Sequence, residues 1–248
     1  MTGRERLLTA LRGGTPDRVP VWLWGVRPEL PAQHPSIQPV VDAYLQRSDL
    51  LVWWHAGGSV FLSDAEVPAH VETRPSPLPD YNEHISTWQT PAGELTQVMY
   101  TSPAGRPGYV HKHMLETPED VRRFLSVEYI PPRPDCSSFF ALDASLGARG
   151  MLVAHFSSDP MYALNRLTGS EVFALWSIDE RAMLDELIGI LLERTLDYVG
   201  WLISQGVGQA LGYVGPELCI PPLQSPADFE RWVVGPDRQI ANLIHDAG

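Results

Sequence analysis

The stretch GQALGYVGPELCIPPLQSP, residues 208–226, decides the fold because it combines a strand, a loop and a helix start. Ala210–Val214 is a short apolar run, which predicts a buried strand. A glycine–proline–glutamate segment at 215–217 ends this run, and Ser225, with a proline and an acid just after it, is typical of a helix N-terminus. This order is typical of the βα unit of a parallel α/β sheet or barrel, in which the loop after the strand faces the active site.

Bulk composition indicates a globular protein and excludes two classes of partner. The 248 residues are 44% hydrophobic and 19% charged, and the formal net charge is −12 at pH 7. Such an acidic chain is unsuited to nucleic acid or to an anionic membrane surface. No apolar run approaches the roughly 18 residues that span a bilayer, and two cysteines do not make a disulfide framework. We therefore expect a cytoplasmic protein without nucleic-acid or membrane partners.

Four apolar runs along the chain predict parallel strands, each followed by a helix. They lie near Val19–Trp24, Asp49–His55, Gly150–Phe156 and Ala210–Val214. Residues 84–113 alternate polar and apolar side chains between turns, which predicts an inserted antiparallel β-meander. The order predicts an α/β fold of the TIM (β/α)8-barrel class, of which this chain supplies about the first four βα units. We expect residues 1–248 to form one incomplete barrel domain, either a truncated copy of a longer protein or a chain that needs a partner.

Polar residues at the strand ends are the candidates for chemistry, because a barrel places its active site there. His55 ends the second strand, and His155 and Asp159 flank the end of the third. The candidate catalytic residues are His55, Asp159 and Glu217. His155 is a candidate for binding a substrate or cofactor. Each candidate also has a purely structural alternative. The histidines could be hydrogen-bonded structural residues, Asp159 could be a helix N-cap, and Glu217 could be a solvated loop residue.

Large side chains near the first and last strands offer a binding surface. Four tryptophans lie near the first two strands: Trp22, Trp24, Trp53 and Trp54. They are predicted either to form a platform for a flat ligand or to pack in the core. Arg27 follows the first strand and could bind an anionic group or be solvated. Tyr213 ends the fourth strand and is a further candidate for binding. His111 and His113 share one strand face but have no third ligand nearby in sequence, so no metal site is predicted.

Three segments carry a resemblance to a known family. They read RERLLTALRGGTPDRVPVW at 4–22, LETPEDVRRFL at 115–125 and GPELCIPPLQSPADFERWVVGPDRQIANLIHDAG at 215–248. Together with the inserted meander, they resemble the uroporphyrinogen decarboxylase family, a TIM-barrel family that also contains corrinoid- and thiol-linked methyltransferases. The resemblance covers nearly the whole chain and about the first two thirds of a family member.

Departures from the decarboxylase pattern favour the methyltransferase branch. Decarboxylases of this family carry arginines after the first strand and an aspartate after the second. In this sequence, Gly25 occupies the position of the first arginine, and Ala56 occupies the position of the aspartate. Tetrapyrrole decarboxylation needs such charges to hold the substrate's carboxylates and pyrrole N–H groups. The resemblance therefore implies methyl transfer to or from a corrinoid or a thiol in the full-length enzyme.

The resemblance also implies zinc and a corrinoid as cofactors of the full-length family member. The family's zinc ligands lie on later strands, so no cofactor site is expected in this chain. The expected partners are a small-molecule, tetrapyrrole or corrinoid ligand, and a second copy of the chain or a corrinoid protein. Two alternatives stay open: decarboxylation of a tetrapyrrole, and a non-catalytic half-barrel that binds a ligand or assembles.

Overall fold

The computed structural model of the protein describes residues 1–24, 26 and 34–248 and contains both helices and strands. The α-helices are α1 (Gly3–Leu11), α2 (Gln38–Arg47), α3 (Pro118–Leu125), α4 (Ser137–Leu146), α5 (Pro160–Asp179), α6 (Arg181–Ser204), α7 (Pro226–Phe229) and α8 (Gly235–Asp246). The strands are β1 (Leu50–His55), β2 (Ala69–Pro75), β3 (Asn82–Thr90), β4 (Gly93–Thr101), β5 (Tyr109–Lys112), β6 (Gly150–Ser158) and β7 (Leu211–Val214). Short 3-10 helices lie at Pro35–Ile37 and Gly147–Arg149, and a π-helical segment lies at Glu230–Val234.

The described chain divides into two compact units. The first unit holds Met1–Gly57, Pro134–Ser157 and Gly200–Tyr213, and the second holds Gly58–Arg133, Ser158–Val199 and Val214–Gly248. The parallel strands belong to the first unit, apart from the last residue of β6 and of β7, and the antiparallel strands belong to the second. That residues 1–248 form one incomplete barrel domain stays a prediction.

A parallel sheet with the strand order β1-β6-β7 is the framework of the first unit. β1 and β6 pair in parallel register, from Leu50 opposite Gly150 to His55 opposite His155. β6 is the central strand and is buried along most of its length, which suits its nearly continuous apolar sequence. The strands predicted near residues 50, 150 and 210 are confirmed, and the fold is a mixed α/β fold.

The strand predicted at Val19–Trp24 is not formed, although these residues lie within the described chain. Val19 is 79% exposed and Val21 is 46% exposed, so the segment is not a buried strand. Pro20 has no N–H to donate to a neighbouring strand, and Val21 accepts a backbone hydrogen bond from Asp49 at 3.0 Å. Among the described residues the parallel sheet has three strands rather than four, and the TIM-barrel assignment stays a prediction.

An antiparallel sheet with the strand order β2-β3-β4-β5 lies in the second unit. β3 and β4 pair from Asn82 opposite Thr101 to Thr90 opposite Gly93, with a two-residue turn between them. The sheet confirms the meander predicted at 84–113 and adds β2 to it. β2 escaped prediction because this strand is exposed along its whole length and its sequence, AHVETRP, shows no apolar alternation.

The core of the second unit is built from helices around large apolar side chains. α6 buries one stripe of side chains at helical spacing, which includes Leu184, Leu187, Ile188 and Leu191. These side chains pack in one cluster with the aromatic residues Phe61, Phe124, Phe173 and Trp232. Burial of this amphipathic stripe, rather than helix propensity alone, stabilises the long helix.

Capping side chains mark two helix starts in the second unit, including the one predicted at Ser225. Thr117 and Asp120 form a capping box at the start of α3, and Ser225 and Asp228 form another at the start of α7. Each hydroxyl accepts an N–H that would otherwise lack a partner in the first turn of the helix. No helix within the described residues has both the length and the apolar character needed to cross a membrane.

Candidate functional site

Two histidines lie side by side at the carboxyl ends of neighbouring parallel strands. His55 is the last residue of β1, and His155 is its register partner in β6. Their ring centroids are 4.6 Å apart, and their ring planes differ by 57°. Both were predicted as site residues from their positions at strand ends, and the parallel register explains why they meet.

The environment of His155 favours its neutral form. The His155 side chain is half-buried, whereas His55 is exposed. Burial lowers the pKa of His155 below its ordinary value of 6.5, and repulsion from the charged form of His55 lowers it further. His155 is therefore neutral near pH 7, when one of its ring nitrogens can accept a proton.

Three indole rings extend the histidine pair. Trp53 lies on the same face of β1 as His55, and its ring centroid is 5.1 Å from that of His155. Trp22 and Trp24 each lie 6.1 Å from Trp53, centroid to centroid, and 5.3 Å from one another. We call Trp22, Trp24, Trp53, His55 and His155 the aromatic face.

Gly212 of β7 gives the Trp53 ring the space to lie across the sheet. A Cβ atom at position 212 would be 2.8 Å from Cγ1 of Val153 and 3.3 Å from the Trp53 ring. The Nε1 atom of Trp53 is buried and has no hydrogen-bond partner among the described residues. A buried indole N–H normally has an acceptor, so this one is an unsatisfied donor within the described residues.

Tyr213 and Trp54 lie on the opposite face of the parallel sheet. Strand alternation turns Trp54 away from the aromatic face, and its Nε1 donates a hydrogen bond to Oγ of Ser138 at 3.0 Å. Tyr213 packs against Phe156, with ring centroids 5.3 Å apart. Phe156 follows His155 in β6, so the two point to opposite faces. The structure therefore does not bring Tyr213 or Trp54 together with the histidine pair.

Asp159 directly follows β6 and belongs to the second unit. Its Oδ1 accepts the N–H of Tyr162 at 3.0 Å, so Asp159 is the N-cap of α5, as its structural alternative predicted. The carboxyl group is fully buried, and Oδ2 has no hydrogen-bond partner in the described part of the chain. Burial, reinforced by the charge of Asp237, raises the pKa of Asp159 to about 7. A carboxyl group with this pKa can hold or release a proton near neutral pH.

The loop after β7 contains one exposed and two buried polar side chains of interest. Glu217 is exposed, as its solvated alternative predicted. Cys219 is buried, and burial together with nearby carboxylates raises the pKa of its thiol to about 11, so it is not an activated nucleophile. Gln224 is buried, and neither polar atom of its amide has a partner among the described residues; no sequence signal marks it. Arg27 lies outside the described residues.

The described residues contain no group of three His, Cys, Asp or Glu side chains placed to hold a metal ion. The ring of His111 stacks on Tyr100, with centroids 4.7 Å apart. Nδ1 of His113 lies 3.2 Å from the carbonyl oxygen of Arg166. The described side chains therefore do not fit the zinc site that the family resemblance implies for a full-length member.

Comparison with solved structures relates the fold to a methyltransferase. The chain is similar to a methyltransferase from Methanosarcina mazei, with a TM-score of 0.51 and 16% sequence identity. The match covers 98% of this chain and 67% of that methyltransferase. The fold is methyltransferase-like. The sequence itself matches no protein-family model and no curated protein, so this likeness is one of fold alone.

Proposed function

We propose that the protein is a methyl-transfer enzyme that moves a methyl group to or from a corrinoid or a thiol. The observation that carries this proposal is the fold likeness to the Methanosarcina mazei methyltransferase over 98% of the chain. The aromatic face supports the proposal. It combines a neutral imidazole with exposed indole surface at the carboxyl ends of parallel strands, where α/β enzymes bind their ligands.

Proton transfer is the role that we assign to His155. A thiol must lose its proton before its sulfur can attack a methyl group efficiently. Because the pKa of His155 is lowered, its ring is neutral near pH 7 and can take this proton. The sulfur then forms the new S–CH3 bond, and the electron pair of the broken bond stays with the methyl donor. His55, whose ring lies 4.6 Å away, helps to position the same ligand.

Of the two cofactors that the family resemblance implies, a corrinoid fits the described residues and zinc does not. Imidazole is a ligand type that transition metals accept, so His55 and His155 fit contact with a corrinoid, free or held by a corrinoid protein. A bound corrinoid would supply a carrier for the methyl group. Zinc does not fit the described residues, because they place no three ligands together. The proposal therefore contains no zinc-dependent step.

Tetrapyrrole decarboxylation is less well supported. It needs cationic side chains to hold the carboxylates of the substrate. In the sequence, Gly25 and Ala56 stand where the decarboxylases carry an arginine and the catalytic aspartate. These features support methyl transfer over decarboxylation.

A methyl-transfer assay tests the proposal. Protein is mixed with methylcobalamin and a panel of small thiols, and loss of methylcobalamin is followed by its absorbance. We expect turnover by the unmodified protein. We expect His155→Gln to lower the rate at least about tenfold, because the proton acceptor is removed. The matched control His70→Gln, on the exposed strand β2, should leave the rate unchanged.

Three outcomes would contradict the proposal. The first is a lack of turnover with every thiol by protein whose circular dichroism shows that it is folded. The second is formation of coproporphyrinogen from uroporphyrinogen, which would support decarboxylation instead. The third is a stable oligomer that binds ligand and catalyses neither reaction, which would support the non-catalytic alternative.

A further inference from the structure

The three indole rings of the aromatic face are arranged as a corner. The planes of Trp22 and Trp24 meet at 78°, and those of Trp24 and Trp53 meet at 76°. The remaining pair, Trp22 and Trp53, is tilted at 43°. Trp24 therefore stands almost perpendicular to both of its neighbours.

Trp24 offers an exposed ring face beside the other two indoles. Its centroid is 6.1 Å from that of Trp53 in a T-shaped contact, and the residue is 78% exposed. A cation held over the open face of Trp24 lies within the reach of roughly 6 Å for cation–π attraction. Trp22 lies 5.3 Å from Trp24 and 6.1 Å from Trp53, so it can provide a third wall.

Core packing does not account for two features of these rings. Trp24 is 78% exposed, so most of its apolar surface gains nothing from burial. Trp53 carries a buried Nε1 donor that has no acceptor among the described residues. A ligand that covers Trp24 and offers an oxygen atom to Trp53 would satisfy both features.

Charge favours a cationic ligand over a neutral or anionic one. The formal net charge of the chain is −12 at pH 7, which concentrates cations around the protein. The faces of tryptophan rings carry partial negative charge and are the strongest aromatic partners for cations. Quaternary ammonium groups are the ligands that such aromatic corners recognise, since they have no N–H groups that need hydrogen-bond acceptors.

We propose that Trp22, Trp24 and Trp53 bind a quaternary ammonium group, and that Nε1 of Trp53 donates a hydrogen bond to an oxygen of the same ligand. This inference rests on the proposed methyl transfer, for which it adds a second class of methyl donor beside a methylated corrinoid. In the transfer, the N–CH3 bond breaks with its electron pair left on nitrogen, which becomes a tertiary amine. A lone pair of the acceptor sulfur forms the new bond to carbon.

Binding of choline, without turnover, tests this inference. Calorimetric titrations compare choline with its uncharged isostere, in which a tert-butyl group replaces the trimethylammonium group. We expect choline to bind at least about tenfold more tightly than the isostere, because cation–π attraction is lost in the latter. Trp24→Leu should weaken choline binding at least about tenfold, and Trp24→Phe should weaken it less. Phe140→Leu, at an exposed aromatic residue of α4, is the matched control and should not change it.

Two results would overturn the inference. Equal binding of choline and its uncharged isostere would mean that the corner is a simple apolar surface. Absence of choline binding to folded protein would mean that the indoles do not form a cation site. If choline does not bind but methyl groups are transferred from other donors, this inference fails and the proposed function stands. If choline binds but no methyl group is transferred, the cation site stands and the proposed function fails.

Discussion

At the scale of single residues, Asp159 combines a structural contact with an unusual protonation equilibrium. Oδ1 caps α5 through the N–H of Tyr162, while Oδ2 is buried without a partner among the described residues. Burial favours the neutral carboxyl group, because a charged one would lose its hydration. The folded protein therefore binds a proton at Asp159 over a pH range in which the unfolded chain has lost it.

The pH dependence of stability should reveal this protonation. The pKa of Asp159 is about 7 in the folded protein, compared with an ordinary value of 3.8. Its contribution to stability is therefore fully present below pH 3.8 and is lost as the pH rises through about 7. We expect Asp159→Asn, which keeps a capping side chain, to be more stable than the unmodified protein at pH 8 by about 1–4 kcal/mol.

Urea unfolding at pH 5 and pH 8 measures this effect. The unmodified protein should lose more stability between these two pH values than Asp159→Asn does. The matched control is Asp246→Asn, at an exposed aspartate, which should not alter the difference. An identical pH dependence for the unmodified protein and Asp159→Asn would contradict the account of Asp159.

The sequence located the strand ends that carry the candidate residues better than it predicted the environments of their side chains. His55 and His155 were found because apolar runs make strand ends visible. The pKa of Asp159 and the unpartnered N–H of Trp53 depend on burial by segments distant in sequence, which no local pattern contains. The period of two along β1 could have placed Trp53 beside His55, but not its contact with His155, which depends on strand order.

At the scale of helices and strands, Gly169 shapes α5. It has φ 76° inside the helix, which separates two helical segments. A Cβ atom at position 169 would lie 2.5 Å from the ring of His113. Gly169 is therefore required both by the backbone conformation and by the close approach of an imidazole ring.

Substitution of Gly169 and of Gly189, a helical glycine outside the kink, should show whether the kink requires glycine. We expect Gly169→Ala to lower the free energy of unfolding by about 1–3 kcal/mol, because it strains the backbone and displaces His113. Gly189 of α6 has open space around its Cα, so Gly189→Ala should be neutral or stabilising by up to about 1 kcal/mol. Thermal and urea unfolding measure both. Equal effects of the two substitutions would show that the kink imposes no requirement for glycine.

Secondary structure was predictable where a local signal marks its start. The capping residues Thr117 and Ser225 located α3 and α7. α4 has a less direct signal, because Cys136 precedes it without a side-chain cap and Asp135 accepts the N–H of Ser137 at 2.9 Å. Ser177, with a glutamate three residues later, has the sequence of a capping box, yet it lies inside α5 and its hydroxyl donates to the carbonyl of Ala174 at 2.7 Å. Serine side chains bond to backbone in both settings, so sequence alone does not distinguish them.

At the scale of the whole molecule, the order of elements was more informative than any single motif. The alternation of apolar strands with helices predicted the mixed α/β fold, and the fold likeness to a methyltransferase covers 98% of the chain. The strand expected at Val19–Trp24 failed because an apolar run with a proline does not by itself provide a neighbouring strand. Strand pairing depends on residues far apart in sequence. The number of parallel strands therefore could not be predicted from local patterns and became known only from the structure.

Methyl transfer is the central claim, and the mass of the product tests it most directly. Protein is incubated with a thiol and with methylcobalamin whose methyl group carries deuterium in place of hydrogen. Mass spectrometry then detects whether the intact labelled methyl group reaches sulfur. The account predicts a labelled thioether that forms in proportion to enzyme and much more slowly with His155→Gln. Labelled thioether at the rate of an enzyme-free control, or an unchanged rate with His155→Gln, would contradict it.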